Sequence, residues 1–228
     1  MEQYIFSGRV KVNGKIASTG QRVGREDKIM LDERPIFSPI WNKVPRVLLY
    51  NKPEGEIVTR NDPNRRVSSF DKLPKLEDSK WISVGRLDFN SSGLLIFTTS
   101  GSLANKLMHP SNGIEKEYLV RANGLISPTS IDKLLLGIDL DDGFGRFDKV
   151  DYIRGKHKNI WYRIIVSEGR NRFIRRMLKA VNLCVTRLKR VRVGNIVLPE
   201  RLAQGNHYEL SYVQMVDLNI VISQLNSS

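Results

Sequence analysis

The chain is short of several things that would declare a chemistry at once. Its 228 residues include one cysteine, Cys184, so no internal disulfide can form. The opening residues, MEQYIFSGRVKVNG, have neither a long apolar stretch nor the small-residue cleavage site of a secretory leader. Together these features predict a cytoplasmic location. No apolar run approaches the roughly 20 residues that a membrane helix needs, so no membrane partner is expected. The histidines His109, His157 and His207 and the lone Cys184 lack metal-ligand spacing, and no metal site is expected. Neither GxGxxG nor GxxxxGK[ST] occurs, which argues against a nucleotide cofactor, and Ser-His-Asp chemistry has no local signature.

What the chain has in excess is positive charge. It carries 37 Lys and Arg against 24 Asp and Glu, a formal net charge of +13, with a pI near 10.0. Such a surplus favours a polyanionic partner, because neutralising phosphates releases their counterions. A basic membrane-surface protein fits less well, since no long amphipathic basic helix is present. The apolar fraction of 40% is ordinary for a globular protein and sufficient for a real core.

The pattern divides the chain. Residues 1–42 read as a small basic module plus linker. Glu2 to Phe6 is a short helical start. In Arg9-Val10-Lys11-Val12 the apolar and basic side chains alternate as in a half-buried strand. Asn13-Gly14 is a strong hairpin signal, and the basic side chains Arg9, Lys11 and Lys15 around it are candidate contacts to a polyanion. Pro35, Pro39 and Pro45 mark the linker. Residues 43–228 read as one larger domain in which strands interleave with helices. The expected class is α+β, a mixed, mainly antiparallel sheet flanked by helices. Arg46–Tyr50, Leu94–Phe97, Tyr118–Val120 and Trp161–Val166 read as strands, residues 60–80 as a mobile polar loop, and Thr129–Gly137 as a helix. Ser100 or Ser102 caps a further short helix. After Gly169 a helix places Phe173, Met177 and Val181 on one face. Arg187 to Arg192 reads as a strand edge.

Three segments could carry chemistry. In Gly85-Arg86-Leu87-Asp88 an acid and a base sit two residues apart in a turn at the mouth of a buried strand. Such a turn can hold a carboxylate rigidly at the floor of a cleft, or it can be an aspartate capping a turn beside a salt-bridge partner. Between Glu168 and Arg192 stand nine Lys or Arg and one acid. Arg170, Arg172, Arg175 and Arg176 offer bidentate donors to phosphate, or form a solvated basic face. Tyr118, at the start of its strand, could stack on an extruded base or simply fill the core.

The order of these segments resembles the RsuA-type family of ribosomal RNA pseudouridine synthases. KPEG at 52–55, GRLDFNSSGLLIFTTSG at 85–101, KEYLV at 116–120 and EGRNRFIRRM at 168–177 carry the likeness across essentially the whole chain. HPS at 109–111, WY at 161–162 and LP at 198–199 look most like its large-subunit, B-type branch. The resemblance implies isomerisation of a specific uridine, in a stem-loop of large-subunit ribosomal RNA; the reaction gains and loses no atoms, so no cofactor is expected, and a monomer is the expected state. It implies Asp88 as the essential aspartate, Tyr118 as the tyrosine packing on the target base, and Arg175 as the arginine paired with Asp88. It places Arg86 near the flipped nucleotide and adds Lys52, Arg170, Arg172 and Arg176 to the RNA contacts. The N-terminal module resembles the second half of an α-L type RNA-binding domain, with the usual first helix missing ahead of it. Phe173, where the family usually has a polar residue, and Ser100, where aspartate is common, are smaller departures. Two other readings use the same features: a non-catalytic RNA-binding assembly factor, and a glycoside-type hydrolase releasing uracil. The second would usually need two positioned carboxylates, and only one is apparent.

Overall fold

A computed structural model describes residues 2–23, 27–35 and 44–220. The chain forms two compact units, Met1–Val44 and Pro45–Ser228. In chain order the elements are α1 (Glu2–Phe6), β1 (Val10–Val12), β2 (Lys15–Ile16), β3 (Ile29–Leu31), β4 (Arg34–Pro35), β5 (Val47–Lys52), β6 (Ile82–Val84), β7 (Ser92–Thr98), α2 (Gly101–Met108), β8 (Lys116–Ala122), α3 (Pro128–Leu136), β9 (Ile138–Leu140), β10 (Gly143–Gly145), β11 (Lys149–Lys156), β12 (Asn159–Val166), α4 (Phe173–Ala180), β13 (Val185–Val193), β14 (Ile196–Val197), β15 (His207–Glu209) and α5 (Tyr212–Asp217).

In the first unit β2-β1-β3-β4 form a small sheet. Asn13 and Gly14 both take positive φ, +50° and +82°, the geometry of a tight hairpin turn that matches the twist of its strands. Val10, Val12 and Ala17 make its core, with Ile5, Val23, Ile29 and Leu31 packed on them. Of the expected linker, Arg34 and Pro35 belong to β4, and residues 36–43 lie outside the described residues.

The second unit is built on a nine-stranded sheet with main order β11-β12-β8-β13-β7-β5-β15; β14 pairs with β13 and β6 with β7. Its pairings are antiparallel except that of β13 with β7. β5 and β7 are buried along their whole length, because helices cover both faces of the sheet. Alternation then sorts the side chains. Leu48, Tyr50, Leu95 and Phe97 join α3 and α4 on one face, and Val47, Leu49, Leu94 and Ile96 join α2 and α5 on the other. The mixed, mainly antiparallel α+β architecture is the expected one.

Local signals fix the helix ends. Ser100, rather than Ser102, caps α2, its Oγ accepting from the Leu103 amide at 3.2 Å. Two expectations are corrected. Residues 60–80 are not a free loop: Ser69 is buried and donates to Glu56, Phe70 packs edge-on against Phe97 at 5.1 Å, and the Trp81 indole donates to Pro74 O at 2.8 Å. Apolar side chains spaced through a polar segment pin it to the sheet. The stretch Arg187–Arg192 is no sheet edge either, since β13 lies between β8 and β7.

The parallel seam between β13 and β7 depends on Gly93, which has φ +101° and faces Arg190. A Cβ there would collide with the Arg190 main chain, whereas a Cβ at Gly169 would meet nothing within 4 Å. Gly93→Ala is therefore expected to lower stability in urea denaturation by at least about 2 kcal/mol, and Gly169→Ala to change it by less than about 0.5 kcal/mol. Equal effects would contradict the close approach.

Candidate active site

The turn that carries Asp88 is held from below. β6 ends at Val84, Gly85 turns the chain at φ +74°, Leu87 enters the core, and the Ser91 amide closes on Asp88 O at 3.0 Å. Lys52, at the end of β5, pairs with Gly93 at the start of β7, so its side chain lies beneath this turn. Fully buried, its Nζ donates to Pro53 O at 2.9 Å, Asp88 O at 3.2 Å and Ser91 O at 2.9 Å. Gly55 N adds a bond to Phe89 O at 2.8 Å. The KPEG and GRLD segments are thus one laced pair of turns. Burial lowers the Lys52 pKa to about 8, against the opposing pull of Glu56, Glu54 and Asp88. Glu56 is itself buried and accepts from Tyr50 Oη and Ser69 Oγ. Lys52 is consequently not the RNA contact expected of it, because its three donors are spent on main-chain carbonyls away from solvent.

A cavity of about 510 Å³ opens above the turn. Asp88, Arg86 and Ser91 form one wall, Lys116, Tyr118 and Arg190 a second, and Glu168 to Ile174 a third. The segments singled out in the sequence therefore surround one space, of a volume that suits a small organic ligand. Tyr118 is buried and stands directly opposite Arg190 across the β8–β13 ladder.

The five arginines expected at this site divide by what they bond. Arg172 is exposed, at φ +50° just ahead of α4, and Arg86 is exposed on the opposite lip. Neither has a partner among the described residues, so both are available to phosphates. Arg170 is not. It donates to Glu168 at 2.6 Å, to Asp142 Oδ1 at 3.0 Å, and to the carbonyls of Asp142, Gly143 and Phe144, with Phe173 beneath its guanidinium. Arg176 makes a two-pronged bond to Asp142 at 2.8 and 2.7 Å, which holds that carboxyl below its ordinary range. Arg170 and Arg176, expected as RNA contacts, thereby clamp the β9–β10 hairpin onto the loop before α4.

Arg175 is corrected in a different way. Its Nη1 donates to Val185 O at 3.0 Å and its Nη2 to Asn90 O at 2.8 Å, two residues past Asp88. Burial pushes its pKa down, Arg172 adds to that, and Asp88 and Glu54 act in the other direction. Its relation to Asp88 is a through-space attraction combined with a grip on the turn, rather than a hydrogen-bonded ion pair. In the first unit Arg9 is paired with Asp32 and Lys11 with Glu33, while Lys15 is exposed.

Sequence reasoning missed Lys116 and Arg190. Each lines the cavity from its strand; Leu188 and Arg190, two residues apart on one face of β13, were the available signal, although an arginine in that position reads by composition as surface.

The fold and this cavity define a pseudouridylate-synthase type of domain. Residues 46–180 match the family model described as RNA pseudouridylate synthase. The chain belongs to that family. It is 46% identical over 221 residues to a Vibrio vulnificus protein named ribosomal large subunit pseudouridine synthase B, covering 96% of this chain and 68% of that one. Proteins of the same name from Pseudomonas aeruginosa and Xanthomonas campestris pv. campestris are 47% and 44% identical, each matching 92% of this chain. The chain spans 55% and 44% of their respective lengths. A crystal structure titled as a pseudouridylate synthase superposes with a TM-score of 0.68 at 25% identity, over 95% of this chain and 91% of that one.

The Lys52 ammonium supplies a pH test. In the folded chain it loses its proton near pH 8, while an unfolded lysine keeps its proton to about 10.4. Between those values the unfolded state binds more protons, so Lys52 makes the unfolding free energy rise with pH. The stability of the parent minus that of Lys52→Met is expected to increase by about 3 kcal/mol from pH 8 to 10.5, measured by urea denaturation. A flat difference would show that the folded chain does not bind this proton weakly.

Proposed function

We propose that the second unit isomerises a uridine to pseudouridine in RNA, with Asp88 as the reacting carboxylate. The observation that carries this reading is the meeting of Asp88, Tyr118 and an arginine-bearing lip in one nucleoside-sized cavity. Pseudouridine formation breaks the N1–C1′ bond, turns the uracil and rejoins it through C5. Atoms are conserved, so no redox partner or energy source is called for. A base inside a helix is out of reach, and extruding it costs stacking energy that contacts in the cavity must offset. Tyr118 suits the base, and Arg86 and Arg172 suit the phosphates on either side. Asp88 can then attack C1′, stabilise positive charge there, or take the 2′ proton. Arg175 and Lys52 act indirectly, by fixing the turn from which Asp88 projects.

The names of the relatives point to ribosomal large-subunit RNA as the substrate. The first unit, with Lys15 and the β1–β2 hairpin, serves as an accessory RNA-binding module, and the protein works as a monomer in the cytoplasm. The test is release of tritium from C5-labelled uridine in large-subunit ribosomal RNA, comparing the full chain with Asp88→Asn. The full chain should release tritium and the variant should fall by at least about 1,000-fold while still binding RNA. Release by Asp88→Asn at a comparable rate would overturn the assignment. RNA binding without release by either protein would favour the assembly-factor reading.

A further inference from the structure

Buried charges in proteins are normally paired, because an uncompensated charge in a low dielectric is costly. The cavity's second wall departs from that rule. Arg190 is 4% exposed, its Nε donates to Leu94 O at 2.8 Å, and its Nη2 is buried with no hydrogen-bond partner. Lys116 stands on the same face, two residues from the Tyr118 that opposes Arg190. Its Nζ donates to Ile114 O at 2.8 Å and Ser167 O at 3.3 Å, which leaves one proton to give. No carboxylate makes an ion pair with either cation among the described residues. Burial and the neighbouring Arg190 both push the Lys116 pKa down, and only Asp148, held by Ser167, opposes them. Ser91 Oγ, in the facing wall, is also buried without a partner. The cavity thus presents two cations with no ion-pair partner among the described residues, and a hydroxyl with no hydrogen-bond partner, at the place where a base packed on Tyr118 would lie.

Resting on the uridine-isomerising reading above, we propose that Arg190, with Lys116 beside it, binds the uracil ring as an anion once its N1–C1′ bond has broken. When that bond breaks, its electron pair stays with N1 and spreads onto O2 and O4. The sugar is balanced either by a bond from Asp88 to C1′ or by loss of the 2′ proton. After the ring has turned, C5 bonds to C1′ as the bond to Asp88 breaks or the 2′ proton returns to C2′; the C5 proton then passes to solvent, N1 takes up a proton, and Asp88 is released unchanged. Neutral uridine carries no such charge, so a cation here stabilises the detached base more than the bound substrate, and that difference accelerates the reaction. The ligand is the base rather than a phosphate because Arg190 is at the inner wall, in register with Tyr118. The exposed Arg86 and Arg172 are at the lip where the RNA backbone passes.

The probe is 5-nitrouracil, an acidic uracil whose neutral and anionic forms differ in ultraviolet absorbance. Titrated on the full chain, its ionisation should shift downward by about one pH unit, a roughly tenfold preference for the anion. Arg190→Gln should abolish the shift, and Arg190→Lys should retain part of it, which separates a lost charge from a lost packing contact. In single turnover on RNA, Arg190→Gln should slow the chemical step about 100-fold with RNA affinity nearly unchanged. Identical ionisation of 5-nitrouracil on parent and Arg190→Gln would overturn the proposal, as would equal losses in the Gln and Lys variants. A nitrouracil shift in a protein that releases no tritium would refute the isomerase reading and leave the anion site standing.

Discussion

A single buried ammonium organises the second unit. Lys52 satisfies three carbonyls from two chain segments, and in doing so fixes the height and angle of the Asp88 turn above the sheet. Burying an ammonium without a direct carboxylate partner is unfavourable, and the fold tolerates it because every donor is used. The surrounding structure supports this arrangement. Glu56 is tied to Tyr50 and Ser69, Arg175 holds Asn90 from the far side, and Gly93 lets β13 approach closely enough to bring Arg190 to the cavity. A carboxylate that is to react, as proposed for Asp88, needs this rigidity, because a displacement of about 1 Å can cost two orders of magnitude in rate.

The net charge of +13 gives a poor account of where RNA would be gripped. Arg9, Lys11, Arg46, Arg66, Arg170, Arg176 and Arg192 all face acids within the chain. Exposed pairs of this kind add little to stability, and several serve to hold loops in place. Asp142 is the clearest case, joining Arg170 and Arg176 so that the β9–β10 hairpin braces the loop that forms the third cavity wall. Around the cavity, Arg86 and Arg172 on the rim and Lys116 and Arg190 inside make no ion pair among the described residues, and their placement could not be read from composition.

That distinction also explains what the sequence could disclose. The Asn13-Gly14 turn, a serine cap at Ser100 or Ser102, the α4 core face and the Asp88 turn depend on residues near one another in the chain, and each was legible to that extent. The β13–β7 seam, the burial of Lys52 and the Asp142 clamp join residues tens of positions apart. An arginine on a surface and an arginine clamped to a hairpin are written with the same letter. Arg175 shows the boundary well: its motif brought it to the Asp88 turn, while its bonds to Val185 and Asn90 came from tertiary packing alone.

The central claim is that one carboxylate, held in this cavity, converts one uridine of a structured RNA. Nucleotide-resolution carbodiimide mapping of unmodified large-subunit ribosomal RNA, incubated with the full chain or with Asp88→Asn, tests it most directly. The account predicts a new stop at a single uridine with the full chain and none with the variant. Stops that appear with both proteins, or with neither, would contradict it.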